Sequence, residues 1–190
     1  ASAGTAANPF NSVASFNSLA VDGAGDYIYL KNGTGTYSET GGLVLLNNQQ
    51  VWGQGQTLSF TNPVTSETVT IGTGSSGTTP TLSVTGANIN GVTLAQGNTL
   101  RGFNVATTLG SQTGIADGGG TVGTLNISDM DVTGSGMAVD IDQGGALNVV
   151  FDTLSSNGAS LGVQLAGSVT GSFKGTAGAI SNATNAGFLV

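Results

Sequence analysis

Leu125-Asn126-Ile127 returns as Leu147-Asn148-Val149, and the step of about 22 residues falls within the range of solenoid repeats. Phe103-Asn104-Val105 stands the same step upstream, and Leu82-Ser83-Val84 stands nearly the same step before that. Each phrase puts two apolar side chains at i and i+2 around a polar one, the period of a strand with one buried face. Helical spacing would scatter the same residues around a cylinder. Four copies at one interval predict a repeat architecture.

A second series runs inside the intervals: Gly91-Val92-Thr93-Leu94, Gly114-Ile115, Met137-Ala138-Val139-Asp140-Ile141, Gly162-Val163-Gln164-Leu165 and Gly187-Phe188-Leu189-Val190. A third, weaker one includes Met130-Asp131-Val132, Leu154 and Ala179-Ile180. Three short strands in about 22 residues, joined by Gly, Ser, Asn and Thr, are what one coil of a parallel β-helix requires. The expected fold is therefore all-β, a three-sided parallel β-helix of about seven coils over residues 23–190. Leu58-Ser59-Phe60, close to one repeat step before Leu82, reads as a further copy, and 62–80 as a wider coil with an excursion near Thr73 to Gly77. Residues 1–22 read as a lead-in and cap, because Phe10, Val13, Phe16 and Leu19 recur every third position between Pro9 and Ala20. A short helix there would cover the open end of the first coil.

Composition agrees. Hydrophobic residues are 38% of the 190 but aromatics only 6%, so the core is expected to be thin layers of Val, Leu, Ile and Ala. The 33 Gly fall largely at strand ends, where corners demand unusual backbone angles. Lys31, Arg101 and Lys174 are the only cations against ten carboxylates, for a net charge of −7. So few basic side chains argue against nucleic acid and against anionic lipid. No run approaches the roughly 18 apolar residues of a membrane span, so no membrane insertion is expected. Cysteine is absent, which removes disulfides and thiolate metal sites. An acidic chain rich in Gly, Ser, Thr and Asn fits a bacterial surface protein.

Asp26-Tyr27-Ile28-Tyr29-Leu30, Gly33-Thr34-Gly35-Thr36-Tyr37, Gly42-Leu43 and Gln50-Val51-Trp52-Gly53-Gln54-Gly55 together resemble the opening of right-handed parallel β-helix modules in large bacterial surface and adhesin-like proteins, of the kind found in autotransporter passengers. Gly162-Val163-Gln164-Leu165, Gly171-Ser172-Phe173 and Ala179-Ile180-Ser181-Asn182-Ala183-Thr184 look like the coils that follow in them. The resemblance implies a secreted or cell-surface, non-catalytic stalk or adhesive module. Its expected partners are a surface glycan, another cell-surface protein, neighbouring coils of a parent chain, or a second copy stacked through the end near Val190.

Two groups of residues are candidates for chemistry. Asp129 with Asp131, and Asp140 with Asp142, are spaced i and i+2, which on a strand point the same way. The default reading is a solvated outer face with no cofactor; the alternatives for such pairs are a weak calcium site or acid and base work on a glycosidic bond. A polysaccharide lyase or hydrolase is the competing reading, weakened by the absence of His and the three scattered cations. Asn104, Asn126 and Asn148 lie between inward apolar pairs, so they are expected to form one outer column of stacked amides. That column reads as a stiffening ladder, or as a flat polar face for glycan or ice. Ice binding would want ranked Thr-x-Thr pairs, and Thr34-Gly-Thr36 and Thr68-Val-Thr70 do not recur at the coil period.

Overall fold

Apart from one hairpin, the alternation read above becomes strands that pair in parallel with their counterparts one turn away. The computed structural model describes residues 10–19, 22–32, 36–61, 65–71 and 79–190. The first turn holds β1 (Tyr27–Leu30), β2 (Thr36–Glu39) and β3 (Leu43–Val44). The second holds β4 (Gln50–Gly53), then β5 (Leu58–Thr61) and β6 (Thr68–Ile71), then β7 (Thr81–Val84) and β8 (Asn90–Leu94). The third holds β9 (Thr99–Arg101), β10 (Asn104–Thr107) and β11 (Thr113–Asp117), and the fourth β12 (Thr124–Ser128), β13 (Asp131–Gly134) and β14 (Met137–Ile141). The fifth holds β15 (Gly145–Leu154), β16 (Ser156–Asn157) and β17 (Leu161–Leu165), and the sixth β18 (Val169–Ala177), β19 (Ile180–Ser181) and β20 (Ala186–Leu189).

Three faces result. The first stacks β1, β4, β9, β12 and the leading parts of β15 and β18; the second stacks β2, β7, β10, β13 and the trailing part of β15. The third is a six-stranded sheet, β3-β8-β11-β14-β17-β20. Because β15 runs unbroken round the corner between the first two faces, their hydrogen bonding joins them into one ten-stranded sheet. The solenoid has about six turns, not seven. Leu58-Ser59-Phe60 is not a coil of its own: β5 pairs antiparallel with β6 as a hairpin let into the second turn. Part of the excursion expected at 62–80 lies outside the described residues.

Inside, the rows are apolar. Ile28, Val51, Leu100, Ile127 and Val149 stack in register on the first face, continued by Phe173. Leu43, Val92, Ile115, Val139 and Val163 do so on the third. Most are fully buried, so each turn adds a layer one side chain thick. Large side chains fill the corner between the first and second faces, with Phe103, Met130 and Phe151 all at 0% exposure. Phe151, Phe173 and Phe188 follow edge to face, at centroid distances of 5.8 and 6.0 Å.

Corners leave backbone groups that no ladder can satisfy, and buried amides meet them. Gln112, 1% exposed, accepts from Thr108 N and Leu109 N and donates to Val84 O and Gly86 O of the turn below. Asn98 accepts from Ala95 N and donates to Leu46 O and Gln49 O. Gln49 accepts from Leu46 N and donates to Asp22 Oδ1 and Gly23 O.

The expected cap is present in shortened form. Helix α1 (Val13–Asn17) starts at Ser12, whose hydroxyl accepts from Ser15 N at 3.1 Å. Val13 is buried against the first coil and its N–H donates to Glu39 Oε1 at 3.0 Å. Asn17 donates to Gly42 O and accepts from Val44 N, so it occupies backbone groups beside and within β3. Of the span anticipated for this helix, Pro9 and Ala20 lie outside the described residues.

Two substitutions separate the contributions. Leu125→Ala empties part of a fully buried layer and should cost about 2–5 kcal/mol. Gln112→Leu keeps the volume but orphans Thr108 N, Leu109 N and Gly86 O and takes one of two donors from Val84 O, an unsatisfied group being worth about 1–3 kcal/mol. Urea unfolding should therefore show Gln112→Leu destabilised despite its added hydrophobicity; an unchanged midpoint would refute the corner role.

Candidate functional site

The four carboxylates singled out by spacing fall into two groups on different faces. Asp129 is not on a strand at all. It occupies the corner between β12 and β13 with φ 54°, a left-handed conformation that Asp tolerates better than most residues. The equivalent corner one turn earlier is Gly102, φ 73°, where an added Cβ would sit 2.3 Å from Gln56 Cγ. The turn between them separates Asp129 from Asp131, so the i, i+2 rule for a shared direction does not apply to that pair.

Asp129 Oδ2 instead meets Arg101 Nε at 2.7 Å and accepts from the Ser128 hydroxyl at 3.0 Å. Arg101 in turn lies over the Trp52 ring, 5.3 Å from its centroid. Asp152, which spacing did not single out, completes this region. Although the residue is exposed, slight desolvation raises its carboxyl, and the charges of Asp129 and Asp131 push it the same way.

The second group centres on Asp140 in β14. Its carboxyl is raised first by burial and then by Asp142 and Asp117, and its Oδ1 is buried without a partner. Asp117 was also missed by spacing. It belongs to β11 one turn below, and its Oδ2 accepts from the backbone of Asp142 and Gln143 at 2.8 and 3.0 Å. That carboxylate acts as a clamp on the turn after β14. Only the register, Ala116 beside Asp140, brings it into the group.

Among the described residues no three carboxylates are grouped to hold a metal ion. Asp129 is committed to Arg101 and Asp117 to backbone amides.

The column expected from Asn104, Asn126 and Asn148 is also divided. Asn126 and Asn148 are register partners on the first face, and Asn148 Nδ2 donates to Asn126 Oδ1 at 3.1 Å. Asn104 is on the second face, beside Thr81, and its Oδ1 accepts from Asp131 N at 3.0 Å. The reason is coil length. The turn that carries Leu100 round to its partner Ile127 is longer than the one that carries Ile127 round to Val149. A phrase repeated at a fixed interval therefore crosses from one face to the next. Thr99, not Asn104, is the partner of Asn126.

Asp140 sets a pH dependence. Its folded value lies above the ordinary 3.8, so the folded chain holds this proton more tightly than the unfolded one. Its contribution to stability is fully present below the ordinary value and is lost as pH rises through the folded one. Asp140→Asn should therefore raise the melting temperature at pH 7, with the gain shrinking as the pH approaches 4. Equal melting curves for both proteins at pH 7 would contradict the strained carboxylate.

Comparison with protein-family models, with curated proteins and with solved structures returns no match to this chain.

Proposed function

We propose that this chain is a non-catalytic structural and adhesive β-solenoid module on the exterior of a bacterial cell. The observation that carries the reading is the continuity of the inward rows on all three faces. Layers locked to their neighbours by both backbone ladders and side-chain packing make a stiff rod. The outer positions carry mostly hydroxyls and amides, surfaces that hold water and hydrogen-bonding partners without a strong field. A chain free of cysteine keeps such a rod independent of the redox state outside the cell.

Catalysis is the second reading, and one observation favours it. A carboxyl held above its usual range beside Asp142 and Asp117 is the device by which a glycosidase keeps a general acid protonated. Against it stand Asp117, already bound to two amides, and the lack of histidine.

Incubation with neutral and acidic polysaccharides separates the two. The module should release no new reducing or unsaturated ends. Turnover that vanishes in Asp140→Asn would overturn the structural reading in favour of the catalytic one.

A further inference from the structure

The strands of the first face contain no carboxylate: Tyr27–Leu30, Gln50–Gly53, Thr99–Arg101, Thr124–Ser128, and the leading parts of Gly145–Leu154 and Val169–Ala177. The chain carries ten carboxylates and three cations, yet two of those cations, Arg101 and Lys174, lie on this face, and Lys31 directly follows β1. The outward positions form two columns. One runs Tyr27, Gln50, Thr99, Asn126, Asn148, Ser172. The other begins Tyr29, Trp52, Arg101, Ser128.

The only Trp and two of the three Tyr therefore stand side by side on the exterior, on adjacent rungs about 4.8 Å apart. None is needed to fill the core. Tyr27 is 46% exposed, and Tyr29 and Trp52 are half-buried. Arg101 is held between the Trp52 ring and Asp129, which fixes the ring and neutralises the cation. The neighbouring column supplies the amides of Gln50, Asn126 and Asn148 and the Thr99 hydroxyl, with Asn126 and Asn148 already ordered by their mutual hydrogen bond.

We propose that this face is a binding platform for a neutral, β-linked glycan lying along the solenoid axis. A pyranose ring with equatorial hydroxyls presents an apolar face and a hydrogen-bonding rim. The first-face exterior presents the complement: aromatic carbon surface from Tyr27, Tyr29 and Trp52, the Trp52 Nε1 itself being buried, next to a column of donors and acceptors. With Arg101 paired to Asp129 at its edge, this surface suits a neutral chain, and a polyanion would meet Asp129 and the chain's overall negative charge. The proposal rests on the adhesive reading above and supplies its ligand class. Preordered side chains lower the cost of binding.

The test is titration calorimetry of the intact chain with cellohexaose and chitohexaose as neutral probes and a galacturonate hexamer as the acidic one. Binding of a neutral probe is expected, weakened at least tenfold by Trp52→Ala. Since that variant also loses the Arg101 contact and some stability, Thr99→Glu is the second. It changes a half-exposed outer position, should melt like the parent, and should abolish binding by placing a carboxylate in the polar column between Gln50 and Asn126. No heat with either neutral probe, preference for the galacturonate, or unaltered binding in Thr99→Glu would each overturn the platform. The outcome is separable from the parent reading: a chain that neither binds nor cleaves loses the platform but remains a structural rod. One that cleaves its glycan loses the non-catalytic reading whatever its affinity.

Discussion

A solenoid must turn three times per coil without leaving backbone groups stranded, and here buried side-chain amides meet that constraint. Gln49, Asn98 and Gln112 each accept from backbone N–H groups within their own turn. Each also donates to carbonyls: Asn98 and Gln112 to those of the turn below, Gln49 to Gly23 O as well as the Asp22 carboxylate. A low-dielectric site strengthens such bonds when complete and penalises them heavily when broken. These amides therefore set where the corners fall, and the corners set which residues of successive turns become neighbours.

Once the corners are fixed, the exterior is fixed with them. Tyr29, Trp52 and Arg101 are far apart in sequence and adjacent on the first face because β1, β4 and β9 pair in register. The same logic brings Asp117 beside Asp140 and Asp142 on the third. Sorting by face also explains the two electrostatic regions: Asp129, Asp131 and Asp152 near the corner of the first two faces, and the strained Asp140 on the third. The first-face strands are left free of acid between them.

Inserted segments show how the stack tolerates irregularity. The β5–β6 hairpin leaves the second turn between β4 and β7, and the flanking strands still pair with their neighbours above and below. Loop closure costs grow slowly with length, whereas losing a layer of the core would cost several kcal/mol. Insertions therefore gather at corners, and the inward rows remain unbroken.

Alternation of apolar and polar residues is a local property, and by itself it determined that Leu125-Asn126-Ile127 and its copies are strands, that the sheets are parallel and stacked, and that a short apolar-faced segment at Val13 and Phe16 packs on the first coil. Which face each strand occupies is not local. It depends on the number of residues spent in every intervening corner, so equal spacing led Asn104 into a column it does not join and made Leu58-Ser59-Phe60 look like a coil. The left-handed corner at Asp129 likewise escaped a rule that assumes continuous strand. The approach of Asp117 to Asp140, the tie between Arg101 and Trp52, and the carboxylate-free first face arise only from register between turns. Tertiary structure decided them, because backbone hydrogen bonds between coils join residues that the sequence holds a full turn apart.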